Sequence, residues 1–82
     1  MLARDGVAKT LDIGHEGCGT LLITLRRTIR DLAPGQILEV IGYDPLARDD
    51  IPAWCRLSGN PLLMMTAPAH PSEPTHFFIR KA

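Results

Sequence analysis

The stretch GTLLITLRRTIRDLA, Gly19 to Ala33, decides the fold, because its apolar residues repeat with helical spacing until Pro34-Gly35 breaks the chain. Leu21, Leu25, Ile29 and Leu32 recur at intervals of four, four and three, with Leu22 and Ala33 beside the same stripe. Thr20, Arg26, Arg27, Arg30 and Asp31 fall mostly on the other side. The spacing predicts an amphipathic helix of about four turns that buries one face. Pro34-Gly35 supplies a sharp stop.

On either side of this helix the pattern changes. AKTLDI, Ala8 to Ile13, is short and closes on Asp12, Gly14 and Gly17, which reads as a strand. QILEVIGY, Gln36 to Tyr43, is rich in β-branched residues and too short for a helix between its breakers, so it reads as a largely buried strand. Asp44-Pro45 is a turn signal. A second helix is predicted to begin near Asp49 or Asp50, either serving as cap, with Pro52 in its first turn. Ile51, Trp54 and Cys55 share one face of it, and Gly59-Asn60 ends it. PLLMMTA, Pro61 to Ala67, reads as a third strand, Pro68 to Pro74 as a loop, and THFFIRK, Thr75 to Lys81, as the last strand. The order is β-α-β-α-β-β. The simplest solution is an α/β two-layer sandwich, a mixed four-stranded sheet with two helices on one face. Residues 1–82 are read as a single domain, with residues 1–7 expected to be flexible.

Composition narrows the function. Of the 82 residues 45% are hydrophobic and 22% charged, which is globular rather than disordered. Nine Lys+Arg balance nine Asp+Glu, so no cationic surplus exists for non-specific binding to a polyanion, and direct nucleic-acid binding is not expected. No apolar run approaches the ~20 residues of a membrane helix, and no membrane association is expected. The opening MLARDGVAKT has no apolar core of a secretory signal, so a cytoplasmic protein with reduced thiols is expected. The two cysteines are too few for a disulfide scaffold.

Cys18 is the foremost candidate for chemistry. It falls just before or at the start of the first helix, where unpaired backbone N–H groups and the macrodipole favour an anion by about 0.3–1 kcal/mol. Two readings stand at this point: a nucleophilic thiol, or a small apolar residue packed at a helix start. Cys55, beside Trp54 on the same face as Ile51, reads first as a core thiol and second as a further reactive one. His15, His70 and His76 form no metal-ligand spacing with the cysteines, and neither a metal nor a cofactor is expected. Arg26, Arg27 and Arg30 are either a solvated helix face or a docking surface for an acidic partner.

These pieces together resemble the TusA/SirA-like small sulfur-carrier proteins. The resemblance runs from Leu11 to Lys81. Leu11-Asp12 is followed by Cys18, the helix ends in Pro34-Gly35, and Asp44-Pro45 ends the next strand. Asp50-Ile51-Pro52 with Cys55 matches the family's DIPxxC element, and Phe78-Ile79-Arg80-Lys81 its closing strand. The resemblance implies a sulfur relay in which Cys18 carries the persulfide. It takes sulfur from a cysteine desulfurase or rhodanese-type donor and passes it to an acceptor protein in tRNA thiolation, cofactor synthesis or sulfur oxidation. His15, Glu16, Gly19, Arg26, Arg27 and Arg30 would then dock the partners. The family signature Cys-Pro-x-Pro reads Cys18-Gly19-Thr20-Leu21 here. Prolines at 19 and 21 are expected to be conformationally compatible with a helix starting at Cys18. Their absence favours an alternative: a non-catalytic binding or regulatory module that keeps the fold and has lost transfer.

Overall fold

The computed structural model describes residues 6–14, 18–70 and 72–82, with the backbone alone for residues 18–20. Its elements are β1 (Val7–Gly14), α1 (Cys18–Arg30), β2 (Ile37–Gly42), α2 (Ala47–Ser58), β3 (Leu62–Met65) and β4 (Thr75–Arg80). That is the expected β-α-β-α-β-β order. The strands form one open mixed sheet in the order β1-β2-β4-β3. β1 and β2 run parallel, joined through α1 as a parallel pair requires, while β2–β4 and β3–β4 are antiparallel.

Alternation along the strands sorts the side chains onto two faces. On one, Leu38 and Val40 of β2 stand opposite Ile79 and Phe77 of β4. Leu21, Leu25 and Ile29 of α1 and Ala47, Ile51 and Cys55 of α2 join the same buried cluster, so both helices cover this face. Each large apolar side chain fully buried there contributes roughly 1.5–3 kcal/mol. The other face carries an unusual resident. Glu39, in the second strand of the sheet, is only 1% exposed. Its carboxylate accepts a hydrogen bond from Thr10 Oγ1 at 3.2 Å and meets His76 Nδ1 at 2.7 Å. Burying a carboxylate is costly unless such partners replace water.

Several boundaries differ from the sequence expectation. α1 ends at Arg30 rather than Ala33, because the Asp31 and Leu32 amides donate to Thr28 and Ile29 carbonyls three residues back, a tighter turn than the α-helix. Val7 is the first residue of β1 and pairs with Ile37; residues 1–5, where flexibility was also expected, lie outside the described residues. The largest shift is at α2, which begins at Ala47 with Leu46 as an N-cap that makes no side-chain cap hydrogen bond. Neither Asp49 nor Asp50 caps it. Asp44 organises the start instead, its Oδ1 accepting from Leu46 N at 2.9 Å and its carbonyl from Ala47 N at 3.0 Å. Asp49 and Asp50 occupy the first turn, where their charge complements the macrodipole. Pro52 consequently lies inside the helix, where its ring removes the amide that would have met the Arg48 carbonyl. The predicted stop holds: Gly59 adopts φ +80° and donates its amide to the Cys55 carbonyl at 3.0 Å.

Candidate functional site

The approach to Cys18 begins where β1 leaves the sheet. Gly14 has φ +56°, a left-handed turn that glycine adopts without a Cβ penalty. Its amide donates to Asp12 Oδ1 at 2.8 Å, and its carbonyl accepts from Tyr43 N at 3.1 Å. The carboxyl ends of the two parallel strands are thereby tied together. Cys18 is the first residue of the 13-residue α1, so its backbone sits at a helix N-terminus near those strand ends. The opening amides of such a helix have no intrahelical acceptor. α1 also has no acidic residue in its first turn. Negative charge at this end of the helix is therefore favoured by the dipole and unopposed within that turn. Gly19 is the second helical residue. His15 and Glu16, expected as neighbours of the thiol, lie outside the described residues.

Leu21 changes the expectation about prolines. It is the fourth residue of α1, and its side chain is 1% exposed in the core. A proline at 21 would remove a core leucine. Gly19 sits in the first turn, where a proline would remove an amide that has no intrahelical acceptor.

The arginines assemble with residues that sequence reasoning missed. Arg26 and Arg30, together with Lys81, surround a cleft of about 360 Å³ whose apolar wall is Ile29, Trp54 and Leu57. Leu57 is 89% exposed, although it lies in the last turn of a helix whose Ala47, Ile51 and Cys55 are buried. Asn60 holds the chain end beside this cleft, its Oδ1 accepting from Ala82 N at 2.9 Å. A second cleft of about 290 Å³ adjoins it along α1, lined by Ile23, Arg26, Arg27 and Arg30. At 1.5 Å of rise per residue, Arg26 and Arg30 lie about 12 and 18 Å along α1 from Cys18. The basic face therefore extends away from the helix start and shares no cluster with Cys18. The exposed Leu57 was the available signal, since it interrupts the amphipathic pattern of α2.

Cys55 is in a different environment. It is 5% exposed within the core cluster and forms the floor of a cleft with Pro52, Arg56, Pro61 and Leu62. Burial pushes its thiol up to about 11, with the Arg56 charge pulling weakly the other way. It is a neutral thiol at physiological pH. Among the described residues no group of three or more His, Cys, Asp or Glu is placed to hold a metal ion. No helix among them is long and apolar enough to cross a membrane.

Comparison with known proteins adds an independent finding. Residues 9–81 match the family model described as Sulfurtransferase TusA. The chain is similar to the sulfur carrier protein TusA of Pseudomonas paraeruginosa, 42% identical over 53 residues that cover 65% of this chain and 67% of that protein. It is 41% identical over 54 residues to the protein of the same name from Pseudomonas entomophila, covering 66% and 68%. Against that of Pseudomonas fluorescens the identity is 46% over 46 residues, covering 56% and 55%.

Proposed function

The chain belongs to the TusA family of sulfurtransferases, and from that premise we propose that it is a sulfur carrier whose Cys18 relays sulfane sulfur between two partner proteins. The observation that carries the reading is the coincidence of the family match over residues 9–81 with a cysteine as the first residue of α1. The Cys18 thiolate attacks the outer sulfur of a donor persulfide. A new S–S bond forms on Cys18, the donor's S–S bond breaks, and the donor cysteine leaves as a thiolate. Cys18 then holds Cys–S–SH. An acceptor thiolate attacks the terminal sulfur in turn and releases the Cys18 thiolate, so the cycle needs no oxidant or reductant.

Free amides and the dipole at the helix start stabilise the sulfur anion at each stage, without a dedicated base. The donor is a cysteine desulfurase or rhodanese-type protein, and the acceptor is a second protein of the relay. Arg26, Arg27 and Arg30, extended by Lys81 around Trp54 and Leu57, offer a cationic surface with apolar anchors that suits an acidic partner face. His15, Glu16 and Gly19 lie close to Cys18 in the chain and meet the same partners.

The test is intact mass after incubation with a cysteine desulfurase and cysteine. The wild-type chain gains about 32 Da, one persulfide sulfur, and Cys18→Ser does not. Equal gain in both, or in neither, removes the carrier reading. No gain in either would favour the alternative suggested by Gly19-Thr20-Leu21, a binding module that has kept the fold and lost transfer.

A further inference from the structure

One hydrogen bond at the end of β1 stands outside the sheet ladder. Asp12 is an exposed strand residue, and aspartate is a poor strand former. Its Oδ1 accepts from the Gly14 amide at 2.8 Å, bonding the backbone two residues on, where Gly14 takes φ +56°. Between these residues the register with β2 shifts. Asp12 pairs with Ile41 and Gly14 with Gly42, which leaves Ile13 as an extra residue on β1. Ile13 is buried, and its Cδ1 lies 3.0 Å from where a Cβ on Gly42 would stand. The bulged residue is thus packed closely against β2, and the Asp12 carboxylate sets the direction in which the chain leaves it.

We propose that Asp12 is a positioning residue for Cys18, acting through the Gly14 turn to hold the start of α1 in place. This role rests on Cys18 as the relay thiol and adds a residue on which that thiol depends. Covalent reach makes the link. Gly14 and Cys18 are four residues apart, so no more than about 14 Å of chain joins them. Gly14 is itself held, its carbonyl accepting from Tyr43 N at 3.1 Å. On the far side, Leu21 anchors α1 in the core. Residues 18–20, whose amides have no intrahelical acceptor, lie between these two anchors. The dipole effect falls off within the first turn, so a thiolate there is stabilised only while that turn stays formed. The Asp12 charge can only oppose a thiolate. Removing the charge and removing the hydrogen bond therefore push Cys18 in opposite directions.

The test is iodoacetamide alkylation of Cys18 as a function of pH, followed by peptide mass mapping of the full chain with no sulfur donor present. Asp12→Asn keeps an oxygen acceptor and loses the charge, whereas Asp12→Ala loses both. In Asp12→Ala the rate at pH 7.5 falls about two- to five-fold and the midpoint of the profile rises by up to about 0.7 pH unit, the reach of a helix-start dipole. Asp12→Asn matches the wild type or exceeds it. A merely structural bond would lower the urea midpoint of Asp12→Ala without moving the pH profile, and that result overturns the proposal. So do identical profiles in the two variants. Gly14→Ala decides the question if Asp12→Ala fails to fold. It strains the left-handed turn, meets nothing within 4 Å and keeps the Asp12 charge. It should move the profile in the same direction as Asp12→Ala, and a wild-type profile overturns the proposal. Persulfide loading is read separately. A chain whose profile shifts but which gains no sulfur refutes the relay and leaves the positioning role of Asp12 standing.

Discussion

Each helix of this protein carries one cysteine, at nearly opposite positions. Cys18 is the first residue of α1, among amides with no intrahelical acceptor. Cys55 is near the end of α2, on its buried face, with its carbonyl engaged by the Gly59 amide. One side chain type therefore meets two environments. At a helix start the backbone favours the thiolate, whereas in the core the loss of water disfavours it and pushes the thiol up to about 11. Position along a helix, more than residue identity, separates the proposed relay thiol, Cys18, from the packing thiol, Cys55.

The largest expected effect breaks or sharpens that contrast directly. At pH 7.5, iodoacetamide should modify Cys18 on the order of 100-fold faster than Cys55 in the folded protein, followed by peptide mass mapping. Comparable rates would erase the distinction. The next effect tests the helix start itself. Leu21→Pro should destabilise the protein by about 2–5 kcal/mol through the lost core side chain, while Gly19→Pro should stay within about 1 kcal/mol of the wild type. Urea denaturation measures both, and a tolerated Leu21→Pro would take the Leu21 side chain out of the set that holds the core together.

A third effect is smaller and depends on pH. Cys55→Ala should cost about 1–2 kcal/mol, as a modest core truncation does, and leave persulfide loading on Cys18 intact. The native Cys55 thiol keeps its proton to about 11, above its value in an unfolded chain. The unfolded state therefore loses this proton first as pH rises from about 9 to 11. Stability falls over that window by at most about 1.4 kcal/mol per pH unit from this group. Below the window the group contributes no slope. Cys55→Ala should lose this part of the alkaline decline, and identical pH profiles would place the thiol in water. The smallest effect on stability belongs to α1's outer face. Arg26→Glu with Arg30→Glu should change stability by no more than about 0.5 kcal/mol yet weaken transfer from the donor protein at least several-fold. Unchanged transfer kinetics would return the arginines to an ordinary solvated face.

Much of the fold was legible because strong punctuation surrounds simple periodicity. The Leu21-Leu25-Ile29 stripe and Gly59 each act locally, and each behaves as its chemistry predicts. The start of α2 was misread for a physical reason. Asp44, Asp49 and Asp50 are all credible caps, and only the folded turn shows that Asp44 bonds the Leu46 amide while Asp49 and Asp50 serve the first turn. The cleft of Trp54, Leu57 and Lys81 with Arg26 and Arg30 joins three separated segments, so local sequence records it only through Leu57, which interrupts the apolar stripe of α2. The partnership of Thr10, Glu39 and His76 was hidden in the same way.

That partnership has a consequence for misassembly. β2 pairs with strands on both sides, and its helix-facing and outer residues alternate, so a slip of one residue would exchange its two faces. Leu38 and Val40 would lose the core, as in any sheet. Glu39 would fare worse, because its carboxylate would be driven among Leu25, Ile51 and Phe77, far from Thr10 and His76. An unpaired charge in such surroundings costs several kcal/mol, more than exposing either neighbour. The buried acid thus acts as a proofreader of strand alignment: only the correct alignment lets it be both buried and satisfied.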